Sequence, residues 1–236
     1  MKRVTRESRA SGAGHDDLNR SSNQMPTLIE KFSRTLRQRA ADFAIQLGDD
    51  DIERLCSYYE LLLKWNPRLH LVAPCSPEEF AVRHILESLV LLPHLAQGAR
   101  VADIGSGAGL PIIPCLIMRA DLRATLIESS EKKVVFLREA LRQVSSPDAA
   151  RLLATRFEDV SAPPADVVTC RALDRFQQML PEIINWSPPS STLLLFGGPS
   201  MRKEIEDLLP SAQAELIPQS ERRFLIIARR TDACSK

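Results

Sequence analysis

The spacing of apolar positions along the chain changes character twice. Residues 1–26 show no period and are polar, basic and rich in Ser, Asn and Gly, so they read as a disordered basic extension. From Thr27 the spacing becomes helical. Leu28, Phe32 and Leu36 fall four apart, Ala40, Phe43 and Leu47 follow, and Gly48 reads as the stop. Asp49–Asp51 open a second helix with Ile52, Leu55, Cys56, Tyr59, Leu62 and Leu63 on one face, ending near WNP at 65–67. A third opens at SPEE, 76–79, where Ser76 suits the N-cap, Pro77 the first helical position and Glu79 a capping box. It runs through Phe80, Ile85, Leu86 and Leu89 towards Pro93. Residues 27–98 are thus expected to form a helical N-terminal cap.

After Gly98 the pattern becomes an alternation of short apolar runs and amphipathic stretches. Strands are expected at 99–104, 123–129, 150–155, 165–172, 191–196, 213–218 and 223–230. Helices are expected at 109–119, 131–144 and 174–186, with a short one around 201–209. Alternating strands and helices, with strands apolar almost throughout, predict an α/β domain: a mostly parallel sheet covered on both faces. The last two strands leave little room for a helix between them, which predicts an antiparallel pair at the sheet edge. Residues 99–236 are expected to pack as one unit with the cap.

Composition serves here mainly to exclude. The 236 residues are 44% hydrophobic and 26% charged, as in an ordinary globular protein. The longest apolar runs, such as 89–92 and 193–196, are far too short to span a bilayer, and no apolar stretch follows the basic start as a secretory signal requires. Cys56, Cys75, Cys115, Cys170 and Cys234 are scattered and never spaced as CxxC, and the four histidines lack an HExxH pattern. A cytoplasmic protein without a metal or a disulfide framework is the expectation. The net charge of +1 conceals a division, with +5 in residues 1–40, +3 in 220–236 and −7 between them. Basic ends suit a polyanionic partner, and equally suit solvated tails with none.

The stretch VADIGSGAGLPIIP, 101–114, carries the candidate chemistry. A glycine-rich turn directly after the first strand occupies the place where α/β sheets bind ligands, outside the carboxyl ends of the strands. Gly105, Gly107 and Gly109 allow close approach of the backbone, and the turn's amides and the next helix N-terminus are expected to stay open to acceptors. The dinucleotide pattern GxGxxG fails because its sixth position is Leu110, and no GK[ST] follows for a nucleotide triphosphate. What remains is an acid-led GxGxG beginning at Asp103, with Glu128 closing the second strand 21 residues after Gly107. A carboxylate there can accept from both hydroxyls of a ribose. A nucleoside bearing an amino acid fits this set, which points to S-adenosylmethionine, with Asp103 orienting its ammonium directly or through water. The plainer alternative is that Asp103 caps the turn and Glu128 caps the next helix.

Several stretches resemble the small-subunit ribosomal RNA guanine-N7 methyltransferase family (RsmG, also called GidB). They are LLKWNPRLHLV (62–72), VRHILESLVL (82–91), DIGSGAGLPIIP (103–114), ESSEKKVVFLRE (128–139), ATRFEDV (154–160), CRAL (170–173) and ERRFLIIARR (221–230). The resemblance implies a Rossmann-like class I S-adenosylmethionine-dependent methyltransferase fold and methylation of N7 of a guanine in 16S ribosomal RNA. It implies cofactor contacts at Gly105 and Leu110, at Phe157 and Glu158 after the third strand, and at Arg171 after the fourth. Phe157 could lie against adenine and Glu158 accept from its amine, while Arg171 would face the ligand and help position it. The alternatives are core packing for Phe157 and surface ion pairs for the other two.

Two departures stand out. His70 and Val72 replace a usual polar pair, and Phe196 stands before Gly197 where the family usually has lysine. The second leaves open a methyltransferase-fold RNA-binding assembly factor with little or no catalysis. The acidic body of the chain permits a methyltransferase for a small molecule or protein, against which the RHILES and ERRF stretches speak. Candidate RNA-binding cations are Arg83 and His84, Lys132 and Lys133, and Arg222 and Arg223, several of which would read equally well as solvated surface. The implied partner is 16S ribosomal RNA or the small ribosomal subunit, met by a monomer. Guanine N7 carries an in-plane lone pair and needs no general base, which suits a sequence without an acid–base dyad.

Overall fold

The computed structural model describes residues 27–144, 148–171 and 176–230; the extension expected at 1–26 lies outside the described residues. Helix α1 (Leu28–Arg39) begins in a reciprocal capping box, where Thr27 Oγ1 accepts from Glu30 N–H at 3.2 Å and Glu30 accepts from Thr27 N–H at 2.6 Å. The helical run ends sooner than Gly48. A short 3₁₀ turn, Ala40–Phe43, leads to Ala44 in the left-handed region (φ 55°). Gly48 instead starts helix α2 (Asp49–Leu69), its N–H bound by the Asp51 carboxylate at 3.0 Å. Helix α2 carries Pro67 inside its last turn and runs past it to Leu69.

The third expected helix is present as one run, Pro77–Leu89, whose hydrogen-bond pattern changes along its length. Helix α3 (Pro77–Phe80) is capped by Ser76 Oγ accepting from Glu79 N–H at 3.0 Å, but only half of the capping box forms, because the Glu79 carboxylate pairs with Arg83 at 2.6 Å. A π-helical turn, Ala81–Leu86, follows and runs into α4 (Glu87–Leu89). Phe32 of α1, Tyr59 of α2 and Phe80 of α3 stack with ring centroids 4.4 and 4.6 Å apart, which ties these helices together.

The remainder alternates strands and helices: β1 (Arg100–Ile104), α5 (Ile112–Met118), β2 (Arg123–Ile127), α6 (Glu131–Val144), β3 (Ala150–Leu153), β4 (Val167–Cys170) and α7 (Phe176–Trp186). Then come β5 (Thr192–Gly197), α8 (Pro199–Leu208), β6 (Gln213–Leu216) and β7 (Phe224–Arg229). The sheet order is β3-β2-β1-β4-β5-β7-β6; pairs from β3 to β5 are parallel, and β7 runs antiparallel to both β5 and β6. The expected antiparallel pair is therefore present, with β7 inserted between β5 and β6.

Alternation along each strand divides the core into two layers. Val101, Leu194 and Phe196 join a cluster with Phe32, Leu55, Tyr58, Ile85 and Phe136, so the N-terminal helices cover one face together with α5 and α6. Ala102, Ile104, Leu193 and Leu195 face the other cluster, with Leu180, Ile183 and Ile205. Asp103, one residue from Ala102 and two from Val101, falls on the face beneath the N-terminal helices. Among the described residues no helix is long and apolar enough to cross a membrane.

Candidate functional site

The carboxyl ends of β1 and β2 are joined by the glycine turn. Ile127 O accepts from both Gly105 N–H (2.9 Å) and Ser106 N–H (3.1 Å), and Glu128 Oε2 accepts from Gly107 N–H (2.9 Å). Gly109 N–H donates to Ser106 O at 2.6 Å. Four amides of the turn are thus spent inside the protein, which corrects the expectation that they stay open. A loop that need not cradle pyrophosphate is free to fasten itself to the neighbouring strand. The backbone takes φ of 67°, 55° and 81° at Gly105, Gly107 and Gly109. At Gly109 a Cβ would also lie 2.2 Å from Ile113 Cδ1, so this glycine answers to packing as well as to conformation.

Asp103 lies beneath this turn and is 0% exposed. Neither carboxylate oxygen has a hydrogen-bond partner among the described residues, and the Ser106 hydroxyl donates to the main-chain carbonyl of Asp103 instead, at 3.1 Å. Burial pushes the carboxyl up to about 8; the nearby Ser106 hydroxyl partly offsets this and the charge of Glu128 adds to it. An orphaned buried carboxylate is an expensive group to keep, and a cation or donor brought by a ligand would satisfy it. Glu128 is also buried, with Oε2 on Gly107 N–H and Oε1 on Ser130 N–H (2.7 Å), and each oxygen keeps a second lone pair.

The wall opposite is built by the N-terminal helices. Tyr58 of α2 is fully buried and its hydroxyl donates to Ala108 O at 2.6 Å, latching the glycine turn from above. Arg171 follows β4, beside the end of β1 where Ile104 pairs with Cys170. Its guanidinium donates to Ser88 Oγ (3.1 Å) and to Arg83 O, lies 3.4 Å from Glu87 Oε2, and stands over the Phe196 ring at 5.2 Å. Leu110 is buried, and its peptide bond to Pro111 is cis.

The other candidates fall in different settings. Phe157 is 4% exposed and packs edge-on against Trp186 at 5.8 Å, so its ring belongs to the core. Glu158 is exposed, with Arg156 at 3.6 Å. Lys132 is exposed and Lys133 half-buried on the first turn of α6, and Arg222 is exposed. Arg83 is exposed but paired with Glu79. Two expected RNA cations change character. Burial, together with Arg171 and Arg83, holds His84 down to about 4, so the ring is neutral at pH 7 and carries no charge for phosphate. Arg223 is bound at 2.6 Å to buried Glu87, so its charge is already partnered. Tyr58, Glu87 and Ser88 were not among the expected site residues. Glu87 left one sign in the sequence, a lone acid inside the apolar run HILESL.

A seven-stranded sheet in this order, with a glycine turn after its first strand and an acid closing its second, defines a Rossmann-like class I S-adenosylmethionine-dependent methyltransferase. The same fold is found in a methyltransferase from Pyrococcus furiosus (TM-score 0.53, 15% identity, 76% of this chain and 98% of that one). It is found also in the mitomycin 7-O-methyltransferase MmcR (TM-score 0.52, 17% identity, 87% and 74%). The chain belongs to the family GidB, rRNA small subunit methyltransferase G, which it matches over residues 51–228. It is similar to the ribosomal RNA small subunit methyltransferase G of Xanthomonas axonopodis pv. citri (strain 306), 40% identical over 184 residues, 78% of this chain and 83% of the relative. The protein of that name from Neisseria meningitidis serogroup B is 36% identical over 152 residues, 64% and 71% of the two chains.

Proposed function

We propose that this enzyme transfers the methyl group of S-adenosylmethionine to N7 of a guanine in 16S ribosomal RNA, free or within the small subunit, acting as a cytoplasmic monomer. The observation that carries the reading is the family match across residues 51–228, which spans the cofactor rim and the helices above it. The residues at the rim fit the cofactor. The orphaned carboxylate of Asp103 suits an ammonium, the spare lone pairs of Glu128 suit two ribose hydroxyls, and Gly105 and Gly107 leave no side chain in the way. Leu110 supplies an apolar wall, and Arg171 suits the carboxylate of the amino-acid tail. With the Phe157 ring in the core, the backbone of its turn and the exposed Glu158 are the groups offered to adenine.

The cofactor supplies a methyl carbon on a positively charged sulfur, open to direct attack by a lone pair. This chain's residues then have to align and enclose rather than move protons, because guanine N7 is unprotonated. Neutral His84 sits beside Arg171 without adding a second charge there. Lys132, Lys133 and Arg222 are the cations that would meet RNA phosphates. The test is to incubate the protein with methyl-labelled S-adenosylmethionine and unmodified 16S RNA or small subunits, then digest to nucleosides. Label in 7-methylguanosine is expected; label in another nucleoside, or none, overturns the assignment.

A further inference from the structure

Glu87 is 1% exposed, in the stretch ILESL at 85–89, and two separate elements each bring a guanidinium to it. Arg223, from the turn between β6 and β7, places Nη2 at 2.6 Å and Nε at 2.9 Å from Oε1. Arg171, from the end of β4, brings Nη2 to 3.4 Å from Oε2. The next residue, Ser88, accepts from the same Arg171 at its hydroxyl oxygen. A carboxylate taken this far from water is a liability for the fold alone, and apolar residues of similar size would fill the space at less expense.

The local backbone is shaped to the same end. In an α-helix the Glu87 N–H would bond Arg83 O, four residues back. In the π turn it reaches Val82 O, five back, and Arg83 O is bypassed. That carbonyl accepts from Arg171 Nη2 instead. The extra residue of the π turn therefore creates an acceptor for Arg171, and π turns recur at functional sites. Arg171 has five N–H donors, and its contacts to Ser88, Arg83 and Glu87 occupy three of them. Phe196 supports the guanidinium from below. An arginine clamped on one edge with donors left over is aimed at something else, and two guanidinium groups on one carboxylate leave positive charge for an anion.

We propose that Glu87 is a positioning residue for methyl transfer: through the bypassed carbonyl and its own carboxylate, the π-turn segment sets Arg171 at the rim to receive the cofactor's carboxylate, and Arg223 locks Glu87 in place. This rests on the methyltransferase reading above. Glu87 acts through Arg171 and touches neither substrate.

The test is a double-mutant cycle on methyl transfer to 16S RNA, with Glu87→Gln, Arg171→Gln and the pair together, and a thermal melt of each. Glu87→Gln should raise KM for S-adenosylmethionine by about tenfold to a hundredfold, with a smaller change in kcat, as for a misplaced binding group. The pair should be no worse than Arg171→Gln alone, since both changes remove the same positioning, and Glu87→Asp should recover part of the loss. Wild-type KM in Glu87→Gln, or losses that multiply in the pair, would overturn the proposal. Should Glu87→Gln fail to fold, Glu87→Asp decides: a raised KM with an unchanged melt supports the role, and an unchanged KM refutes it. A wild-type chain that transfers no methyl is a separate result, and sinks the underlying assignment instead.

Discussion

Replacing Asp103 by Asn keeps the shape of a fully buried side chain and removes its ability to ionise. The folded carboxyl titrates at about 8 against an ordinary 3.8, because burial penalises its charge. With the folded value raised, the native state holds a proton that the unfolded state has released. The group's contribution to stability is therefore intact below pH 3.8 and is lost as pH rises towards 8. At pH 7 the chain must take up that proton to fold, and at about 1.4 kcal/mol per pH unit this costs about 4 kcal/mol. Asp103→Asn escapes the cost, so urea unfolding should find it near wild type at pH 4 and more stable by up to about 4 kcal/mol at pH 7. The same change should weaken S-adenosylmethionine binding tenfold to a hundredfold, roughly the worth of a hydrogen bond to a charged group. Saturating cofactor should then stabilise the wild type by about 1–3 kcal/mol more than the variant. A stability difference that is flat with pH, or a variant less stable at pH 7, would show that Asp103 is ionised and paired in the fold, and the reasoning would fail.

Gly109→Ala should destabilise by about 2–4 kcal/mol in urea unfolding, since it meets both a left-handed backbone and Ile113; a loss under half of that would mean the turn gives way easily. Tyr58→Phe leaves Ala108 O without its donor and should cost about 1–2 kcal/mol, with a parallel loss of cofactor affinity by calorimetry. Unchanged affinity would separate the latch from the site. Lys132→Ala with Arg222→Ala should raise KM for RNA and flatten its salt dependence while leaving cofactor binding alone. An unaltered salt slope would remove both residues from the RNA surface.

The parallel half of the sheet was readable because β1 and β4 are buried on both faces and so appear as mostly apolar runs, with the glycine turn marking where β1 ends. The order in which β7 enters between β5 and β6 was not, because an antiparallel pair read from spacing carries no information on which member joins the parallel strands. Asp103, Gly105 and Glu128 were legible as a set since the sheet brings the ends of adjacent strands together. Glu87 was not, because its partners lie 84 and 136 residues away and a glutamate beside leucine reads as a helix surface. The π turn left no periodic mark of its own. His84 looked like a cation until the structure placed it against Phe80, with ring centroids 5.0 Å apart.

The most direct test of the cofactor site is a crystal structure of the full chain with S-adenosylhomocysteine. Ribose hydroxyls on Glu128, the amino group at Asp103 and the nucleoside against the Gly105–Gly109 turn are the expected result. A ligand bound elsewhere, or a rim closed by side chains at saturating ligand, would contradict it.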